Sequence, residues 1–312
     1  MDSLEKILKR CVLCPRMCRV NRSFGERGFC RLDAGMAIHS ALPHYGEEPP
    51  LSGSGGAGTI FFSSCNLRCL YCQNVQISHS PTGRPVTAEE LAGIMLDLEA
   101  RGCHNVEPVT PTPHLAGIMA ALRIARERGL RVPFVFNCGG YERGKIIRLL
   151  DGTVDIYLPD FKYGLAEEGN RLSGVPDYPH HALASLKEMV RQVGDGLETE
   201  NGIARRGVLV RHLVLPGRID NSLAVLNMIR ERISPAVPLS LMAQYTPIPA
   251  VAGDPLLGRR VTKGEYERVV NAALDLGFEE IHTQQVDERA LNPDFARDEP
   301  FAWESIGGGD DA

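Results

Sequence analysis

The sequence predicts an α/β protein in which a parallel sheet is wrapped by helices. From about residue 57 onward, short apolar runs of strand type alternate with amphipathic helical segments. Six or seven such units follow one another, which favours a full or partial barrel over an open doubly wound sheet. The first fifty residues differ, because they are rich in cysteine and in loop-forming residues. We therefore expect a barrel preceded by a cysteine-rich segment.

The elements of the barrel can be placed in order along the chain. The first strand is AGTIFF, residues 57–62, and the following helix has an i, i+3, i+4, i+7 apolar stripe over residues 91–98. Thr87 and Glu90 form a capping box at the start of that helix, and Thr262 with Glu265 form a second one near the end of the chain. Further strands are predicted at 105–110, 132–137, 154–161, 207–215, 237–245 and 278–285, and further helices at 114–129, 142–150, 178–193, 221–233 and 262–277.

Composition and charge exclude several classes of protein. The chain has 312 residues and a net charge of -5, which argues against a broad nucleic-acid-binding surface. No apolar run approaches the ~20 residues that a membrane span needs, and the first ten residues resemble a short amphipathic helix more than a signal peptide. Nine cysteines without a secretion signal indicate a reducing compartment. We therefore expect a cytoplasmic protein that contacts neither nucleic acid nor membrane.

The chain divides into three predicted parts. Residues 1–50 form the cysteine-rich module, residues 51–290 the barrel, and residues 291–312 a C-terminal tail whose last eight residues, SIGGGDDA, are predicted to be disordered.

Three cysteines follow the first strand at very short spacing. Cys65, Cys69 and Cys72 form the pattern C-x3-C-x2-C, with Tyr71 directly before the last cysteine. Thiolates are soft ligands that bind zinc, copper(I) and iron–sulfur clusters. Three thiolates on one loop can hold three irons of a [4Fe–4S] cluster and leave the fourth iron open for another ligand. The alternative is a zinc site completed by a remote ligand such as His79.

The string CNLRCLYC resembles the cluster motif of radical S-adenosylmethionine (SAM) enzymes. The resemblance implies a partial (β/α)6 TIM-like barrel, in which Cys65, Cys69 and Cys72 ligate the [4Fe–4S] cluster and Tyr71 lies beside the adenine of SAM. It also implies that the open iron binds SAM, and that reduction of the cluster cleaves SAM to methionine and a 5′-deoxyadenosyl radical. That radical abstracts a hydrogen atom from a substrate.

Longer segments resemble the pyruvate formate-lyase activating enzyme-like subgroup. They are HYGEEPPLSGSGGAGTIFFSSCNLRCLYCQN, VDIYLPDFKY and RHLVLPG. In that subgroup a D-x-K element holds SAM, and Asp160 and Lys162 match it; the alternative for this pair is a surface salt bridge. The resemblance implies an oxidoreductase that activates a glycyl-radical enzyme, with a glycine of a partner protein as one candidate hydrogen donor and flavodoxin or ferredoxin as electron donor.

Two other functions remain open on the sequence alone. The first is a radical SAM enzyme that acts on a small molecule, and the second is a non-catalytic iron–sulfur electron carrier. Two loops depart from the family pattern: residues 109–114, VTPTPH, retain only Pro113 of the usual G-G-E-P, and Gln244 stands where activating enzymes often carry histidine.

A second group of cysteines lies upstream. Cys11, Cys14, Cys18 and Cys30 form C-x2-C-x3-C-x11-C within twenty residues. Four thiols in a segment too short to bury much apolar surface predict a metal site that contributes to folding. Zinc and a second iron–sulfur cluster both fit this spacing.

Polar residues at other strand ends are candidates for the same site. Asn137 and Tyr141 lie near the end of the third strand and are predicted to contact substrate or SAM. Cys138 is predicted to line the cavity. Arg211 and His212 are neighbours on the fifth strand, so one of them must point away from the barrel interior.

Overall fold

The computed structural model describes residues 2–286 and 292–301, and it contains eleven strands and ten helices within these residues. The strands are β1 Met36–His44, β2 Ala57–Phe62, β3 Arg84–Val86, β4 Val106–Val109, β5 Val135–Cys138, β6 Ile156–Pro159, β7 Leu197–Glu200, β8 Ile203–Val208, β9 Val210–Leu213, β10 Leu239–Met242 and β11 Ile281–Thr283. The helices are α1 Asp2–Leu8, α2 Pro49–Ser52, α3 Val75–Ser78, α4 Ala88–Ala100, α5 Leu115–Glu127, α6 Gly144–Ile147, α7 Ala166–Ser173, α8 Tyr178–Val193, α9 Ile219–Arg232 and α10 Lys263–Asp275.

The central strands run parallel and follow chain order. One sheet contains the parallel series β2-β4-β5-β6-β8, and a second contains β9-β10-β11, also parallel. Only Leu209 separates β8 from β9, and a parallel bridge between Asp160 and Arg211 joins the two sheets. The series β2, β4, β5, β6, β8–β9 and β10 is therefore a partial barrel of six parallel strands, which confirms the predicted fold class.

Three antiparallel strands extend this barrel and were not predicted. β1 pairs with β2, β3 pairs with β1, and β7 forms a hairpin with β8. β1 has only three buried positions in nine, and it contains histidine, serine and proline. Such a strand shows neither the continuous apolar run of a buried strand nor a regular alternation, so hydrophobic periodicity does not reveal it.

The inner strands are buried on both faces, as parallel strands covered by helices must be. Every residue of β2, β5, β6 and β10 is buried. The helical segments lie outside them and bury their apolar stripes, as α4 does with Leu91, Met95 and Leu98. Both predicted capping boxes are present, at the starts of α4 and α10.

The described part of the predicted tail packs against the barrel. The Phe295 and Phe301 rings each lie 5.3 Å from the Phe61 ring of β2, measured between centroids. The SIGGGDDA segment lies outside the described residues. None of the helices in the described ranges is long and apolar enough to cross a membrane.

Candidate functional site

A cavity of about 150 Å³ lies at the C-terminal ends of the parallel strands. All parallel strands of a barrel end at the same rim, so the loops that follow them converge there. Loops or strand ends after β2, β4, β5, β6, β9 and β10 contribute to the wall. The predicted site residues that line it are Cys65, Cys69, Tyr71, Cys72, Asn137, Cys138, Asp160, Lys162 and Arg211.

The barrel cysteine loop, residues 64–72, follows β2 in a tight, irregular conformation. Ser64 and Arg68 adopt left-handed backbone angles, with φ of 74° and 56°. Non-glycine residues seldom do so unless the surrounding structure holds them there, and such residues cluster at functional sites. The Leu67 N–H donates to Cys65 Sγ at 3.3 Å, and the Ser78 hydroxyl donates to Cys72 Sγ at 3.3 Å. The loop therefore turns its thiols inward and gives two of them a hydrogen-bond donor.

The donor set fits a cationic metal centre. Burial, and then the neighbouring Cys69 thiolate, raise the pKa of Cys65 to about 12, and burial also raises the pKa of Cys72. These thiols remain protonated at neutral pH unless a cation compensates their charge. Bound iron does this, because a metal deprotonates a coordinating thiol. The three cysteines therefore form a donor set that suits a cationic metal centre.

The opposite wall carries a paired network of charges. Lys162 Nζ lies 2.5 Å from Asp160 Oδ2, and Arg211 Nε lies 3.0 Å from Asp160 Oδ1. Burial opposes the ionised form of Asp160, but the Lys162 and Arg211 charges outweigh it and lower the pKa of this carboxyl. Burial likewise disfavours the charged form of Lys162. The attraction of the Asp160 carboxylate is the stronger effect and raises the pKa of Lys162. Both side chains are less than one-fifth exposed, so this pair is not an exposed surface salt bridge.

Two further carboxyl groups join this network, and sequence reasoning missed both. Arg211 also bonds to Glu47 Oε2 at 2.9 Å and to Asn137 Oδ1 at 2.7 Å. The Asn137 amide donates to Glu107 Oε1 at 2.7 Å. Burial, and then the Glu47 carboxylate, raise the pKa of Glu107 well above its usual range. The sequence did contain a signal for Glu107. It is a lone carboxyl inside the apolar run VEPV, and a buried carboxyl needs a polar partner.

Tyr71 closes one side of the cavity. It is buried, with ring centroids 6.5 Å from Tyr163 and 6.2 Å from Tyr245. The two loops that depart from the family pattern also reach the wall, through Thr110 after β4 and Gln244 after β10. Thr110 adopts a left-handed φ of 59°. These loops therefore reach the cavity although their motifs differ.

Some predicted residues lie elsewhere. His212 is buried on the outer face of β9, where it contacts the Phe161 carbonyl at 2.7 Å and Ser222 Oγ at 2.8 Å. Strand alternation thus sends Arg211 inward and His212 outward, whereas the sequence predicted only that one of the two would point outward. Tyr141 is not part of the described cavity wall; its hydroxyl donates to Asp177 at 2.8 Å. His79 is likewise absent from the described wall, and its Nδ1 lies 2.9 Å from the hydroxyl oxygen of Ser78, which donates to Cys72 Sγ.

The N-terminal cysteine site comprises Cys11, Cys14, Cys18 and Cys30. All four line a second, smaller cavity, together with Arg16, Phe29 and Asn66. Asn66 belongs to the barrel cysteine loop, so the two cysteine groups are structural neighbours. Within the described ranges, no three His, Cys, Asp or Glu side chains converge as the ligands of a single metal ion do. That holds for both cysteine groups alike.

Comparison with known families agrees with this geometry. Residues 51–117 match the family model of a 4Fe-4S single cluster domain, and this stretch contains Cys65, Cys69 and Cys72. The match confirms a [4Fe–4S] domain in this part of the chain. The C-x3-C-x2-C spacing therefore lies within the matched cluster domain, at the rim of the partial parallel barrel.

Two curated proteins of the archaeon Methanocaldococcus jannaschii are similar over most of their length. The uncharacterized protein MJ0674 is 33% identical over 288 residues, which cover 88% of this chain and 77% of MJ0674. The uncharacterized protein MJ0808 is 26% identical over 260 residues, which cover 76% of this chain and 71% of MJ0808. The chain therefore belongs to the family of MJ0674.

Solved structures match more distantly. Streptococcus suis SuiB bound to its precursor peptide SuiA is 14% identical, with a TM-score of 0.48. The match covers 71% of this chain and 47% of SuiB, so this chain spans about half the length of that protein.

Proposed function

We propose that this protein is an enzyme that reductively cleaves SAM and uses the resulting radical to abstract hydrogen from a substrate. When bound, the cluster supplies one electron to SAM and yields methionine and a 5′-deoxyadenosyl radical. The observation that carries the proposal is the composition of one cavity. Three thiols of a [4Fe–4S] domain face an ammonium group across a space open to a small molecule.

The fourth iron of the proposed cluster has no evident protein ligand among the described residues, which supports an enzyme over an electron carrier. The cavity has a fourth cysteine, Cys138, but it is the last residue of β5, and its electrostatic neighbours are Glu142, Asp160 and Arg211. The neighbours of Cys65 are the thiols of Cys69 and Cys72 instead. No histidine lines the described wall. An open position at a metal is what a reactive site keeps for its substrate.

The side chains around the cavity have complementary roles in this proposal. Lys162 provides an ammonium that can pair with the SAM carboxylate, since it has three donors and only one carboxylate partner in the described contacts. Asp160 orients Lys162, and Arg211 holds Asp160 in place. Tyr71 lies beside the adenine, and Asn137 contacts SAM with the amide capacity that Arg211 and Glu107 leave free. The paired network spares the cavity an uncompensated buried charge.

For the hydrogen donor we propose a glycine Cα–H of a partner protein, with flavodoxin or ferredoxin as the electron donor. This rests on the resemblance of three segments to the pyruvate formate-lyase activating subgroup. A small-molecule donor is the alternative. We infer a cytoplasmic location, because all nine cysteines are free thiols and two groups of them are suited to metal.

The test is SAM cleavage by anaerobically reconstituted full-length protein reduced with dithionite. We expect 5′-deoxyadenosine and methionine in equal amounts, and none from Cys69→Ala. Cys103→Ala is the matched control, because Cys103 is buried outside the described cavity wall, and it should keep the activity. A loaded, reduced wild-type protein that forms no 5′-deoxyadenosine with any candidate substrate would return us to the carrier hypothesis.

The hydrogen donor is tested separately. Mixing the active enzyme with a candidate glycyl-radical enzyme should produce a carbon-centred radical detectable by electron paramagnetic resonance (EPR). Deuterium at the partner's glycine should appear in 5′-deoxyadenosine. Transfer of deuterium from a labelled metabolite instead would identify the small-molecule alternative.

A further inference from the structure

We propose that the N-terminal cysteine site holds a second [4Fe–4S] cluster, ligated by all four of its thiolates. Such a cluster has no open iron, so the chemistry it adds is one-electron transfer and not substrate binding. This inference is independent of SAM cleavage, because it concerns a different ligand set.

The first support is the enclosure of the site. Cys11 is buried, and the other three cysteines are partly buried around one cavity. Gly28 lies against the site so closely that a Cβ there would come within 2.8 Å of Cys18 Sγ. Only glycine fits this position, which keeps the wall of the cavity tight. The thiol of Cys14 interacts electrostatically with Cys30 and Cys11, and that of Cys30 with Cys11 and Cys18. All four sulfur groups therefore share one enclosure.

The second support is a backbone pattern shared with the barrel cysteine loop. The Phe29 N–H donates to Cys18 Sγ at 3.3 Å, and the Leu67 N–H donates to Cys65 Sγ at the same distance. Each cysteine group therefore has a thiol that accepts from a backbone N–H. Hydrogen bonds to sulfur orient and tune cluster ligands.

Residues with left-handed backbone angles lie in both the N-terminal cysteine site and the barrel cysteine loop. Of the seven non-glycine residues with positive φ in the described chain, three lie directly beside N-terminal cysteines: Met17, Arg19 and Arg31. Two more, Ser64 and Arg68, belong to the barrel cysteine loop. The same costly backbone conformation thus surrounds both cysteine groups.

The choice of cluster over zinc rests on the arrangement of the ligands. Structural zinc draws its four ligands to one point, usually from two separated pairs. Here three cysteines lie within eight residues, as Cys65, Cys69 and Cys72 do in the matched [4Fe–4S] domain. This spacing suits a cubane, because each thiolate binds a different iron.

The site directly contacts the loop that carries the other cysteines. The Ser64 hydroxyl donates to the Cys30 carbonyl, and Ser64 precedes Cys65. Arg16 donates to the Asn66 carbonyl at 3.1 Å and to the Ser173 carbonyl at 2.8 Å. An electron accepted here from a reduced flavoprotein or ferredoxin therefore needs only a short path to Cys65.

The experiment isolates the site in the full-length chain. Replacing Cys65, Cys69 and Cys72 together with Ala removes the barrel ligands and leaves the N-terminal cysteine site intact. After anaerobic iron and sulfide reconstitution, we expect about four irons and four sulfides per chain, and an EPR signal of a reduced cluster with dithionite. Adding Cys14→Ala to this triple variant should reduce the iron content to near zero.

Other outcomes overturn the proposal. About one zinc per chain in the triple variant purified without reconstitution, together with no iron uptake, would establish a structural zinc site. Absence of both metals from a triple variant with native circular dichroism would show that the four thiols are free. Because the triple variant alone decides among these outcomes, misfolding of the Cys14 variant does not leave the question open.

Discussion

The two cysteine groups of this protein use the same donor atoms but have different surroundings. Both have left-handed residues and backbone N–H donors beside their thiols. The barrel cysteine loop supplies three thiols and faces Lys162 across a cavity. The N-terminal cysteine site supplies four thiols and is enclosed largely by apolar groups such as Leu13, Phe29 and Pro113.

This difference shows that the number of ligands and the opposite wall decide what a thiolate site can do. A site that keeps one position open beside a charged partner can bind and activate a molecule. A site with all positions filled and an apolar enclosure can only store charge or brace the fold. Three substitutions test the opposite wall of the first site and the junction between the two.

The largest effect is expected at the opposite wall. Lys162→Ala should weaken SAM binding roughly 10- to 150-fold, because a charge-assisted contact contributes ~1.5–3 kcal/mol. The iron content of both sites should remain, since no cysteine changes. Isothermal titration with SAM measures the effect, and Lys187→Ala, an exposed lysine of α8, is the matched control. Affinity within twofold of wild type would remove Lys162 from the SAM site.

A smaller effect is expected at the junction. Arg16→Lys should lower the free energy of unfolding by about 1–2 kcal/mol, because lysine cannot reproduce the fork that reaches the Asn66 and Ser173 carbonyls at once. Anaerobic urea unfolding measures it, and Arg10→Lys at an exposed position serves as control. The variant should also lose iron from both sites faster on exposure to a chelator. Unchanged chelation rates would mean that the two sites are held independently.

The smallest effect concerns pH at the same junction. His114 is buried, and its Nε2 lies 2.8 Å from the Ser63 carbonyl. Burial lowers the pKa of His114 to about 4, below its ordinary value, so the unfolded chain takes up the proton first as the pH falls. Its contribution to stability is complete above about pH 6.5 and is lost progressively toward pH 4.

His114→Gln removes this titration but retains a hydrogen-bond donor. Between pH 7.5 and 6, wild type should lose about 1 kcal/mol more stability than the variant, as measured by urea unfolding. Equal pH slopes for the two proteins would show that His114 does not titrate on unfolding.

Much of the fold followed from local patterns in the sequence. Each central strand and the main helices on the outside could be placed from apolar periodicity, and both capping boxes from four residues. The spacing of Cys65, Cys69 and Cys72 was by itself enough to indicate a cluster. These features are encoded within short windows, because helix and strand periods and ligand spacing on one loop depend only on near neighbours.

The tertiary structure alone decided which distant residues meet. Glu47, Glu107 and Arg211 come from separate parts of the chain, yet they form one network behind Asp160. Likewise, only the folded chain places the Cys30 carbonyl against the Ser64 hydroxyl and makes the two cysteine groups neighbours. No short stretch of sequence predicts these contacts. They depend on how the strands pair to form the barrel and on the pairing of β1 with β2.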